Sequence, residues 1–152
     1  MMKTSDQGLK ILIDREDKRN KAYQDTKDIW TIGVGHTGPE VVKGLVWTDQ
    51  QVMAAFGKDI ERFENAVNGA VTVPLEQHQF DALVSFSFNC GVRALAHGGN
   101  GGSPSGILLA LNAGDYDTAA ARFDVWHIPP EITSRRNGER EQFKGTAFTA
   151  RI

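Results

Sequence analysis

Residues 16 to 36 read Glu-Asp-Lys-Arg-Asn-Lys-Ala-Tyr-Gln-Asp-Thr-Lys-Asp-Ile-Trp-Thr-Ile-Gly-Val-Gly-His, and the period of the chain changes inside this stretch. Ahead of it, Leu9, Leu12 and Ile13 recur at three- and four-residue spacing behind Ser5, a residue suited to cap a helix. Inside it, Ala22 to Gln24 is a short extended piece and Asp25-Thr26-Lys27-Asp28 has turn composition. Ile29 to His36 then alternates as a second strand. The pattern predicts a helix that runs directly into a β-hairpin.

Glu16 lies three residues after Ile13 and four after Leu12, so it extends the apolar stripe of the helix. At a helix C-terminus the macrodipole disfavours negative charge, and partial burial disfavours it again. Both effects raise the pKa and favour a carboxyl that holds its proton near neutral pH, as a general acid must. The alternative is a helix-end Glu paired with a nearby Arg. Asp25 supplies a second carboxylate at the turn, where Asp also serves simply as a turn-former. Two carboxyls in unlike surroundings suit the acid and base of glycoside hydrolysis.

On the second strand Trp30, Ile32 and Val34 share one face and leave Thr31, Gly33 and Gly35 on the other. That second face is nearly bare. It reads either as a floor for an extended sugar chain or as an edge hairpin with glycines at a bulge. His36 closes the strand, as a hydrogen-bonded strand-end residue or as a neighbour of substrate.

The remainder reads as helical scaffold. Thr48-Asp49-Gln50-Gln51 matches a capping box, and Val52, Phe56, Ile60, Phe63 and Val67 follow at helical spacing until Asn68-Gly69. The next helix is expected to begin with Pro74 in its first turn. It is apolar on more than one side through Leu75, Phe80, Leu83, Val84, Phe86 and Phe88. Shorter helices are expected at Ile107 to Leu111, Ala119 to Trp126 and Ser134 to Phe143. The predicted class is α+β and mainly helical. A small hairpin lobe and a larger helical lobe are joined by the Val52 to Val67 helix, with a cleft between them.

The spacing of Glu16, Asp25 and Thr31, Tyr23 ahead of Asp25, and Thr-Ile-Gly-Val-Gly-His at 31 to 36 together resemble the phage-type lysozymes. These are the endolysins with which tailed bacteriophages break the host wall. The resemblance extends to Val-Pro-Leu-Glu-Gln-His-Gln-Phe-Asp-Ala-Leu-Val-Ser-Phe-Ser-Phe-Asn-Cys-Gly at 73 to 91. It continues through Leu-Asn-Ala-Gly-Asp-Tyr, then Ala-Ala-Ala-Arg-Phe with Trp126, and ends with Arg-Arg-Asn-Gly-Glu-Arg-Glu-Gln-Phe at 135 to 143.

The resemblance implies a lysozyme-like fold that hydrolyses the β-1,4 bond between N-acetylmuramic acid and N-acetylglucosamine in bacterial peptidoglycan. It assigns Glu16 as general acid, Asp25 as the carboxylate that positions or activates water, and Thr31 as the hydroxyl near that water. Gly33, Gly35 and His36 become candidate substrate contacts. Arg135 is expected beside Glu16, with Arg136 as the second candidate. Because Asp25 is tied to a turn beyond the helix end, room for a water is expected, and with it inversion of the anomeric centre. A lytic transglycosylase and an inactive peptidoglycan-binding module are the alternatives. Two departures stand out: Asp17 where many relatives have Gly, and a long Gly-rich segment at 95 to 106.

Composition bounds the rest. The 152 residues, 40% of them hydrophobic, suit one domain spanning 1–152. Cys90 is the single cysteine, which excludes an intrachain disulfide and reads as an inert buried thiol. The histidines follow no metal-ligand spacing, and Gly-Val-Gly-His lacks the third glycine of a dinucleotide loop, so no metal and no cofactor are expected. The formal net charge is −2. Residues 1–30 and 131–152 nevertheless hold twelve Lys and Arg against nine acids, which suggests either a positive region facing the wall or a solvated mixed surface. Neither nucleic acid nor membrane is expected as a partner, and a monomer is. No apolar run suits a signal peptide or membrane span. The expected course is therefore residence in the host cytoplasm until a phage holin permeabilises the membrane, then action on the wall.

Overall fold

The computed structural model describes residues 1–98, 103–126 and 132–145. Ser5 caps the first helix, α1 (Asp6–Glu16), by accepting the Gly8 N–H at 3.0 Å, and donates its own hydroxyl to buried Asp81 at 2.5 Å. A Cβ on Gly8 would meet Asp81 Cγ at 2.5 Å, so glycine is what lets α1 approach that carboxylate. The helix stops at Asp17, whose φ is 65° and whose N–H still bonds to Ile13 O at 2.8 Å. The departure from glycine noted in the sequence thus leaves the stop in place but strains it.

Strands β1 (Arg19–Gln24), β2 (Trp30–Gly33) and β3 (His36–Thr37) form an antiparallel sheet in that order. The strand expected from Ile29 to His36 is broken in the middle. Gly33 and Gly35 take φ of +68° and +66°, and the chain turns between them before β3 begins. As a result Ile32 stays in a small cluster with Ala22 and Val41, whereas Val34 crosses into the main helical core.

Helix α2 (Asp49–Ala70) carries both bonds of the Thr48/Gln51 capping box and buries Val52, Phe56, Ile60, Phe63 and Val67. It joins the hairpin lobe to the helical one. Helix α3 (Gln77–Cys90) starts later than expected: Pro74 lies ahead of it, with its carbonyl accepting the Tyr116 hydroxyl at 2.7 Å. Every residue from Phe80 to Ser87 is buried, so α3 is the central helix. Around it stand α4 (Ala94–His97), α5 (Gly106–Asn112), α6 (Tyr116–Arg122), a 3-10 turn (Phe123–Val125) and α7 (Thr133–Lys144). α7 packs along α3 and inserts Phe143 into the main core. The Gly-rich segment is partly the short α4, and its residues 99–102 lie outside the described residues. No helix among the described residues is long and apolar enough to cross a membrane.

Candidate active site

Glu16 stands where the two lobes meet. It ends α1, and the bend at Asp17 leads straight into the hairpin. Its side chain is 17% exposed. A Cβ on Gly35 would come within 3.3 Å of Glu16 Oε1 and 3.5 Å of the Phe88 ring, so glycine leaves the space this carboxylate occupies. On the other side Arg135 donates from Nη1 to Glu16 Oε2. The same guanidinium donates from Nε to Glu139 Oε2 at 3.1 Å and from Nη2 to Ser85 O at 3.0 Å. Arg136 does not take this place. It reaches Glu139, Asn89 and, at 2.8 Å, the Trp126 carbonyl.

Asp25 lies one residue past β1. Its Oδ1 accepts the N–H groups of Lys27 at 2.8 Å and Ile29 at 2.9 Å, the pattern of an Asx-type turn. Oδ2 forms no such bond among the described residues. Thr31 is 4% exposed, and its hydroxyl donates to Ile29 O at 2.9 Å. Tyr23 pairs with Thr31 across the sheet, with the Arg19 guanidinium 4.4 Å above its ring. Burial raises the Tyr23 phenol above its usual pKa, Arg19 opposes this, and the charges of Glu16, Asp17 and Asp25 add to it. One phenol therefore feels both candidate carboxylates.

The sequence from 14 to 139 matches the family model described as phage lysozyme. The chain belongs to the phage lysozyme family. It is 37% identical to the endolysin of Salmonella phage P22, over 94% of this chain and 99% of that one. The crystal structure of a mutant P22 lysozyme superposes with a TM-score of 0.81 at 36% identity, covering 95% of this chain and 99% of that one. The muramidase domain of SpmX from Asticaccaulis excentricus gives a TM-score of 0.80 at 33% identity, covering 94% and 98%.

Within this phage lysozyme fold, the candidate substrate contacts Gly33 and His36 are held by their own neighbours. The face of β2 that carries Thr31 and Gly33 is not an open floor. Gly33 is buried, and the space a Cβ would take there is bounded by Val52 at 3.4 Å and the Trp47 ring at 3.5 Å. Gly33 is thus a packing position. His36 is not free to meet a sugar through its ring nitrogens either: Nδ1 bonds to Asp59 at 2.6 Å and Nε2 to Glu40 at 2.8 Å, with the Trp47 ring centroid 5.3 Å away. Burial lowers the His36 pKa, but the bonds to Asp59 and Glu40 outweigh it and leave the value raised.

The charge split left a positive region and a mixed surface both open, and the arginines of α1 and α7 are paired within the fold. Arg15 turns inward to Ser85 at 3.0 Å and Gln142 at 2.7 Å, and burial lowers its pKa to about 10. Arg136 is fully buried, and Arg140 pairs with Asp124 at 2.9 Å. Burial pushes the Cys90 thiol up to about 11, which suits an inert role.

Ser85, Phe88 and Glu139 complete the surroundings of Glu16, and none was expected from sequence as part of the site. Glu139 follows Arg135 by four residues and Arg136 by three, a helical ion-pair spacing that was visible in the chain. Nothing in that spacing shows that the pairs are buried.

Proposed function

We propose that this protein is an endolysin that cuts the β-1,4 bond between N-acetylmuramic acid and N-acetylglucosamine of bacterial peptidoglycan, with Glu16 as general acid. As a phage lysozyme family member it is a glycoside hydrolase. One observation carries the assignment: Glu16 is the carboxyl held at the lobe junction between Arg135 and Gly35. A guanidinium only donates, so Oε2 accepts from Arg135 and the transferable proton belongs on Oε1, the oxygen that faces Gly35. From there it passes to the leaving glycosidic oxygen.

Asp25 takes the second role. Its Oδ1 is committed to the turn, which fixes the carboxylate and leaves Oδ2 to hold a water. The Thr31 hydroxyl spends its proton on Ile29 O and keeps its lone pairs for a water O–H. A water held in this way attacks the face of the sugar opposite the leaving group and inverts the anomeric centre. We propose further that the enzyme works as a monomer and reaches the wall only after a holin opens the membrane.

The test combines Glu16→Gln with product analysis. The amide keeps the shape and lacks the proton, so lysis of purified peptidoglycan should fall by at least about a hundredfold with the fold intact. Mass spectrometry of the digest should show reducing ends, whereas anhydro-sugars would make it a transglycosylase. Proton NMR of the first-formed product should show the α anomer. A folded Glu16→Gln enzyme retaining more than a few per cent of lysis would remove Glu16 from the acid role.

A further inference from the structure

Glu139 is a fully buried carboxylate. Three donors converge on it: the Ser85 hydroxyl at 2.5 Å, Arg135 Nε at 3.1 Å, and Arg136 Nη1. Arg15 reaches the same Ser85 hydroxyl. Three arginines are thus gathered behind Glu16 around a single internal carboxylate. Removing charges from water is costly, and an apolar core of the same volume would serve stability as well or better. Stability is thus a weak reason for the arrangement.

The connection to Glu16 runs through one side chain. Arg135 offers Nη1 to Glu16 and Nε to Glu139, so the two carboxylates share a guanidinium. Glu139 is the larger of the two Coulombic influences on Arg135, with Glu16 next. We propose that Glu139 is a positioning residue for the general acid: it aims the Arg135 fork at Glu16 and offsets the positive charge of the arginines gathered behind it. This rests on the reading of Glu16 as the acid.

The physical reason is the sign of the charges. A cation beside a carboxyl favours loss of its proton, and a second carboxylate beside the same cation opposes that loss. Among the described residues, the charged and titratable groups gathered at the Arg135–Glu16 pair and at Tyr23 beside it come from three elements. Arg15 and Asp17 belong to its own helix end. Arg19, Tyr23 and Asp25 come from the hairpin, and Arg135, Arg136 and Glu139 from α7. From α3 the facing groups are Ser85 and Phe88, both uncharged. Without Glu139 the guanidinium groups of α7 would act on Glu16 with no internal counter-charge.

The test is the pH profile of kcat and KM on soluble glycan strands for Glu139→Gln, Glu139→Asp and Arg136→Gln, each assayed below its own melting temperature. In Glu139→Gln the alkaline limb of kcat should move at least about half a pH unit lower, with KM within about twofold of wild type. Glu139→Asp keeps the charge and should return the limb toward wild type even where kcat is reduced. Arg136→Gln removes a positive charge instead and should move the limb upward, which keeps the idea testable if Glu139→Gln does not fold. A merely structural Glu139 would lower the melting temperature and leave both limbs in place, and that result overturns the proposal. Glu16→Gln separates the two readings. If that variant is inactive while the α7 variants show no shift, only the role of Glu139 fails; if it remains active, the acid assignment itself fails.

Discussion

The guanidinium of Arg135 lies against the carboxylate of Glu16, although 119 residues separate them in the chain. The last helix therefore finishes a site that the first helix begins. Both side chains are largely buried, at 11% and 17% exposure, so the pair is poorly served by water.

Replacing Arg135 by Met should destabilise the protein by about 3–5 kcal/mol, because it leaves Glu139 and Glu16 without their shared partner. Lysis should fall at least about tenfold, as the acid loses its orientation. Arg135→Lys keeps the charge but cannot bridge two carboxylates and Ser85 O at once, so it should recover only part of either quantity. Thermal unfolding and wall turbidity measure the two effects. Wild-type lysis in the Met variant would show that the guanidinium plays no part in turnover.

Gly35→Ala should harm activity far more than stability. The backbone strain at φ +66° costs about 1 kcal/mol, whereas the new methyl would sit 3.3 Å from Glu16 Oε1, the oxygen assigned to carry the proton. Gly44→Ala is the control, since Gly44 also has positive φ (+90°) but nothing lies within 4 Å of its Cβ position. Both variants should lose similar stability, and only the first should lose most of its lysis. Equal lysis in the two would separate Gly35 from the acid.

The His36 clamp should make stability depend on pH in a defined direction. Its folded pKa is raised above the ordinary 6.5, so its contribution is complete below about 6.5 and disappears as pH climbs through the folded value. The bond to His36 lowers the pKa of Glu40 from 4.5, so that partner contributes above its unfolded value and is lost as pH falls through the folded one. The melting-temperature gap between wild type and His36→Gln should therefore be widest between about pH 4.5 and 6.5 and close at alkaline pH. A gap that widens above pH 7 would contradict this account.

Asp17→Gly should stabilise the fold by about 1 kcal/mol, because glycine takes the positive φ at the end of α1 without a Cβ clash. A rise of roughly 2–4 °C in melting temperature is the corresponding signal for a chain of this length. A fall would mean that the weak Arg19–Asp17 pair, 3.6 Å apart, matters more than the backbone.

Much of this protein was legible in the chain because it depends on short-range physics. Ser5 and Thr48 cap their helices through bonds to residues three positions on, and Asp25 builds its turn from N–H groups two and four positions on. The apolar periods of α2 and α3, and the turn chemistry between β1 and β2, sufficed for the class and the lobe arrangement. The tertiary structure alone decided what depends on which surfaces cover one another. Alternation along β2 put Thr31 and Gly33 on a bare face, but Trp47 and Val52 close over Gly33, and two positive-φ glycines redirect Val34 to the other core. His36 read as a hydrogen-bonded strand-end residue or as a neighbour of substrate, and only the fold shows Asp59 and Glu40 holding both its nitrogens. Ion-pair spacing on α7 was visible, yet a helix pattern says which residues share a face and not what lies against it. The burial of Arg136 and Glu139, and the near-burial of Arg135, behind Glu16 follow only from the packing of α7 on α3.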